Sequence, residues 1–429
     1  MGFASGPVTF RRFFIDGPMA TAAGDVVAAV KKCAFGRYGQ RSADGVETGW
    51  ISPEHLFDAN IVAEKIVFDR FVHCQMRLDR TAAPSSLIRS YIRMEEAAAI
   101  DAGGKDRLTR DERHRAKEAA MARAEAEGKK GMHRRIAAYP VLIDLRQKTV
   151  YFGSLSPTAL DAFILLFRDT FDCGVEPADA ERIGFRIMDA AGDARSVEDA
   201  EPFHLVSPRM VEGDNGFDVN DRTFFGREFL TWLWYRTDVA EGLFEAGRDR
   251  VAAAIVKSMH LDCDFRVTGS DTIRADGPGG TPEARAALTT GKQPTRAGLI
   301  LGGRSGEYAL MFDGPRFTVS SLKLPDPSEG DRHDQLRERF EQVTEVAGLL
   351  DLLFGLFLGR RASSDWADEL GRMKLWAAGG KAASGAARPA ARKPRVNDRA
   401  VASADGESEL HDSGLNNDGV ILRLHEQTT

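Results

Sequence analysis

The side chains of this sequence whose types and spacing point most directly to chemistry are its lysines and arginines. The chemistry they suggest is neutralisation of an anion rather than bond-making. From Lys105 to Arg135 there are eleven Lys/Arg against six Asp/Glu, a local excess of +5 in a chain whose formal net charge is −6. The span ends in GKKGMHRR, where Lys129, Lys130, Arg134 and Arg135 stand with no acid between them. Cations grouped in this way neutralise phosphates, gaining affinity from released counterions and carrying no sequence preference. The preceding DERHRAKEAAMARAEAE has a competing reading, a solvated helix laced with i,i+4 pairs such as Asp111–Arg115, and for that helix the solvated face comes first. For the four cations after it, phosphate contact comes first.

Two further basic groups carry the same choice. TTGKQPTRAG sets Lys292 and Arg296 on either side of Pro294 in a loop leading into a strand, and residue types alone favour a structural role there. Near the end, Lys381, Arg388, Arg392, Lys393, Arg395 and Arg399 are interleaved with Ala and Pro. Such a segment is either a basic arm tracking a nucleic-acid backbone or a solubilising linker.

No constellation for catalysis accompanies these cations. GxGxxG, GxxxxGK[ST], HExxH and GxSxG are all missing from the sequence. LGGRSGEY joins two apolar runs and opens no helix, so it reads as a hairpin loop and not as a phosphate cradle. Cys33, Cys74, Cys173 and Cys263 lie far apart, which argues for reduced thiols and against a disulfide framework or zinc site. The expectation is a binding protein, not an enzyme, with no cofactor and no metal. The most apolar run, VAGLLDLLFGLFL (346–358), is thirteen residues long with Asp351 inside it, too short to span a bilayer. A cytoplasmic protein with no membrane partner is expected.

The elements that must position these residues are those of an α+β protein with mixed or antiparallel sheets. Residues 1–83 read as an N-terminal part with strand signals in Val8–Ile15 and Ile61–Leu78 and a helix around Thr21–Cys33. Residues 84–136 read as a protruding charged helical hairpin. Its first helix is capped by Ser85 or Ser86, and its second opens on a Thr109/Glu112 capping box. Residues 137–225 return to sheet, with a hairpin in PVLIDLRQKTVYFGS and an amphipathic helix in SPTALDAFILLFRDTF. Residues 226–379 form a C-terminal α+β part, and 380–429 a disordered tail, basic and then acidic. GREFLTWLWYRTD could stack bases, but its bulky apolar residues occupy every helical face, so it reads as core. Leu336, Phe340, Val343, Ala347, Leu350, Phe354 and Phe357 follow a 4-3-4-3 spacing on a long helix that needs a partner, either its own sheet or another subunit. Phe340, Leu350, Phe354 and Phe357 are the expected dimer contacts.

The order of these elements resembles the bacterial recombination-associated RdgC family. The resemblance runs over about residues 8–376 and is carried by CAFGRYGQ leading to TGWISP, by the hairpin, by LIDLRQKTVYFGSLSPTALDAFILLF, by EARAALTTGKQPTRAGLIL with YALMFDGPRFTVSSLKLPD, and by the C-terminal helix. It implies a ring-shaped homodimer that encircles duplex DNA without sequence preference, associates with the nucleoid and restrains the RecA recombinase. Single-stranded DNA is a secondary expected ligand. Lys292 matches the lysine of the family's Gly-Lys pair and Arg296 a basic position after it, which makes both candidates for the inner face; Arg134 and Arg135 fall near the helical tip. The alternatives from other classes are a metal-dependent DNA-processing enzyme such as a nuclease, and a protein-binding scaffold.

Overall fold

The chain alternates short apolar strands with helices in an order that a computed structural model resolves for residues 2–37, 46–81, 83–104, 106–130, 132–206, 222–240, 242–246, 249–263 and 269–379. These belong to one compact unit, Met1–Ala383. The expected tail at 380–429 lies outside the described residues.

In chain order the N-terminal elements are β1 (Val8–Asp16), α1 (Ala23–Lys32), β2 (Val46–Ile51), α2 (Ala63–Ile66), β3 (Val67–Phe68) and β4 (Phe71–Thr81). The hairpin α3 (Ser85–Gly103) and α4 (Arg110–Lys129) precedes β5 (Arg134–Asp144), β6 (Thr149–Phe152), α5 (Pro157–Phe171), β7 (Gly174–Pro177), α6 (Ala180–Ala190) and α7 (Arg195–Glu198). The later part holds α8 (Phe224–Val239), β8 (Leu243–Ala246), β9 (Asp249–Cys263), β10 (Ser270–Arg274) and α9 (Pro282–Thr289). It ends with β11 (Lys292–Gly302), β12 (Glu307–Asp313), β13 (Thr318–Lys323), α10 (Arg332–Ala362) and α11 (Trp366–Ala377).

Among the described residues thirteen strands make one antiparallel sheet, with path order β10-β9-β11-β12-β13-β1-β6-β5-β4-β2. The α+β class expected from the sequence is therefore the observed one. β1 joins the two halves: Val8 and Phe10 pair with β13, while Arg11–Phe14 pair with β6. Strand alternation sends successive side chains to opposite faces. On β1, Phe10 enters one core and Phe13 the other.

The larger core lies under α8, α10 and α11 and reaches from Phe3 and Phe71 to Trp376. The smaller one, under α1 and α5, contains no residue beyond Val175. On that second face the helical layer thus stops at β1. Beyond it β9–β13 leave side chains without a helix over them, including the exposed Ala252 and Ala254 and the half-buried Ile300, Ala309, Met311 and Ser320.

The aromatic stretch is core, as its lack of a polar face requires. In α8, Phe229, Leu230, Trp232, Leu233, Trp234 and Tyr235 are all buried. Trp232 Nε1 donates to Glu369 Oε1 at 2.9 Å and Trp234 Nε1 to the Gly279 carbonyl at 3.2 Å. In the first turn of α8 position 226 is glycine because a Cβ there would lie 2.2 Å from the Gly314 carbonyl carbon.

α10 corrects the sequence reading. Phe340, Leu350, Phe354 and Phe357 are 0, 2, 0 and 0% exposed and lie inside their own chain's core, so they are not contacts between subunits. Phe354 packs on Phe229 and Phe317 at ring-centroid distances of 5.3 and 5.0 Å, and a Cβ on Gly184 of α6 would stand 3.5 Å from it. The helix needed a partner, and its own sheet and α6 supply it. By length and composition α10 could cross a membrane, but 56% of its most apolar window is buried inside the fold. Asp351, the charge within the apolar run, meets Arg12 of β1.

Candidate nucleic-acid interface

The α3–α4 hairpin interrupts two strands that pair along their length, from Phe71 opposite Asp144 to Thr81 opposite Arg134. The capping box opens α4: the Glu112 amide donates to Thr109 Oγ1 at 3.3 Å and the Thr109 amide to Glu112 Oε2 at 2.9 Å. The serines expected to cap α3 are instead its first two helical residues, behind Pro84 at the cap position. α4 buries little beyond Ala116, Ala120, Ala124 and Gly128, an i,i+4 seam of small residues that lets it lie close to α3. Gly128 brings the end of α4 close to β4, where a Cβ would come within 2.4 Å of Thr81 Cγ2. α4 also exposes Arg110, Arg113, Arg115, Lys117 and Arg123.

Glu127 ties the hairpin to the sheet. It accepts from Tyr91 Oη at 2.7 Å and pairs with His133 Nε2 at 3.2 Å, while Arg123 lies over the Tyr91 ring. The tyrosine hydrogen bond and then the histidine hold the Glu127 carboxyl below its ordinary range, and the same bond raises the Tyr91 phenol. This clasp fixes the start of β5 and so the directions of Arg134 and Arg135.

The two arginines point to opposite faces and have different fates. Arg134 reaches Asp79 at 2.5 Å and Glu47 at 3.6 Å; Asp79 is buried and also held by Arg77 at 2.7 Å. Its charge is balanced within the chain, so the expected phosphate role does not fit it. Arg135 is exposed and stands directly opposite Arg80 of β4. Neither has an ion-pair partner among the described residues. Like charges directly opposite on neighbouring strands destabilise a sheet unless an anion sits between them. Lys130, also exposed, ends α4 just before this pair. The side chain of Lys129 lies outside the described residues.

The second sequence group is corrected in part. Lys292 is 7% exposed, with Nζ 2.6 Å from the exposed carboxylate of Asp271, so its charge is paired within the chain rather than free for a phosphate. Burial follows from its place as the first residue of β11, opposite Cys263 of β9. Arg296 is exposed, with Nε 2.8 Å from Asp313. Arg392, Lys393 and Arg395 lie outside the described residues.

Sequence reasoning missed Arg80. The signal was the run CQMRLDR, whose last cation continues a strand alternation, but its partner is set by a pairing across the whole hairpin. Among the described residues no group of three or more His, Cys, Asp or Glu is placed to hold a metal, and the four cysteines are buried and form no disulfide. In comparisons with known proteins, no family model and no curated protein matches this chain.

Proposed function

We propose that this protein binds DNA without sequence preference through the cations at the root of the α3–α4 hairpin, and that it acts in recombination. The observation that carries the reading is the Arg80–Arg135 pair, two like charges directly opposite each other on β4 and β5, neither with an ion-pair partner among the described residues. A phosphodiester placed there removes a repulsion already present in the free protein. Lys130 extends the patch, and the clasp at Glu127 pre-orders it, so little side-chain entropy is lost on binding.

The resemblance to the RdgC family supports the rest of the reading: a closed homodimer around duplex DNA that limits access of RecA. With the apolar faces of α10 occupied, self-association falls to other surfaces. The hairpin, where Met94 and Met121 are each 53% exposed, is the one we assign. Titration of the protein with two duplexes of unrelated sequence at equal salt tests the function. The reading expects affinities within about tenfold of each other. A large preference for one duplex, or no binding at low salt, overturns it.

A further inference from the structure

Where the α5 layer ends at β1, the step down to the uncovered face of β11–β13 forms a cleft of about 690 Å³. Its chemistry is two-sided. On the sheet side Arg11, Arg296 and Arg316 approach from β1, β11 and the β12–β13 turn around the carboxylate of Asp313. Arg296 Nε lies 2.8 Å from that carboxylate and Arg316 Nη1 3.6 Å, and Asp313 also accepts from the Arg316 amide. Arg11 has a buried Nε with no hydrogen-bond partner. Burial and the neighbouring Arg316 both disfavour its charged form, against Asp179 and Asp313, which favour it. Three guanidinium groups thus face two nearby carboxylates, Asp313 and Asp179, and one of the three carries an unmet donor. On the helix side the wall is aliphatic, formed by Leu155, Pro157, Leu160 and Ile164, with Asp161 among them. Leu155 is 39% exposed.

We propose that this cleft binds one nucleotide, its phosphate held by Arg11, Arg296 and Arg316 and its base laid along the aliphatic wall. Guanidinium groups match phosphate oxygens in geometry as well as charge. The volume is that of a small-molecule site, room for one such unit and not for a duplex. Asp161 supplies an acceptor for an exocyclic amine or a ribose hydroxyl. The nucleotide comes either free in solution or as the phosphorylated end of a strand. The site shares no residue with the Arg80–Arg135 patch and does not depend on the function proposed there.

The test is calorimetric titration of the full chain, in phosphate-free buffer, with adenosine monophosphate, adenosine, inorganic phosphate and a 5′-phosphorylated oligonucleotide beside its unphosphorylated form. Saturable binding of the monophosphate is expected, with phosphate and adenosine each at least tenfold weaker. Arg316→Ala, at an exposed turn position, and Leu155→Asp, at a part-exposed wall position, should each weaken it at least tenfold without lowering the melting temperature. The Arg80→Ala/Arg135→Ala chain should weaken on duplex DNA and keep its nucleotide affinity. If only the phosphorylated oligonucleotide binds in an Arg316-dependent way, the strand end is the source. Phosphate binding as tightly as the monophosphate, binding indifferent to Arg316→Ala, or no binding of any of these ligands overturns the proposal.

Discussion

Arg12 of β1 and Asp351 of α10, 339 positions apart, meet in a bidentate ion pair at 2.7 and 2.5 Å. Arg12 is 5% exposed and also lies against the rings of Phe14 and Phe317. The pair explains an acid inside the most apolar run of the sequence: Asp351 neutralises a guanidinium on the strand that joins the two halves of the sheet.

Removing one partner leaves a buried charge uncompensated. Asp351→Ala should cost about 3–5 kcal/mol, whereas Arg12→Met with Asp351→Leu should recover most of it, because an apolar pair avoids both desolvation penalties. Urea unfolding midpoints check this, and a single variant within about 1 kcal/mol of the parent would mean the pair is solvated.

Phe354 distinguishes a core helix from a subunit contact. Phe354→Asp should abolish cooperative unfolding, since it puts a carboxylate at a fully buried position inside the aromatic core, a cost of several kcal/mol. Sedimentation and circular dichroism together decide: a well-folded variant changed only in association state would restore the interface reading.

Trp232 carries a packing role and a hydrogen bond that can be separated. Trp232→Phe should lose about 1–3 kcal/mol by removing the indole hydrogen bond to Glu369, whose other carboxylate oxygen Arg360 still holds, and Trp232→Ala about 3–5 kcal/mol. Because α8 is buried, tryptophan fluorescence should change little when DNA is added. A stable Trp232→Ala chain that no longer binds DNA would favour base stacking instead.

How much of this was legible in the sequence depended on whether a residue's partner was near in the chain. The capping box at Thr109, the β11–β12 hairpin and the burial of α8 follow from local spacing, and all are observed. The spacing of α10 announced an apolar helix but not what would cover it, because α6 and the sheet meet it only in three dimensions. For the same reason Lys292 looked like a loop cation until β9 supplied its neighbours, and Arg80 went unnoticed until β5 returned beside it.

His73 makes stability pH-dependent. It is buried between Phe3 and Phe340, neither ring nitrogen has a hydrogen-bond partner among the described residues, and burial lowers its pKa to about 3. An unfolded histidine titrates near 6.5, so between about 6.5 and 3 the unfolded chain binds the extra proton. Stability should therefore be intact above about pH 6.5 and fall on acidification, by at most about 1.4 kcal/mol per pH unit from this group. His73→Phe should flatten that part of the profile. An unchanged slope would place the acid sensitivity elsewhere.

The most direct test of the central claim is the salt dependence of duplex binding for the parent chain and for Arg80→Ala/Arg135→Ala. Each neutralised phosphate contributes about 0.9 to the log–log slope, so the double variant, which gives up the one phosphate held between the two arginines, should bind more weakly with a slope smaller by roughly 0.9. Relief of a like-charge pair should leave it at least as stable as the parent. An unchanged slope and affinity, in a variant that folds normally, would contradict the assignment of the hairpin root as the DNA-binding surface.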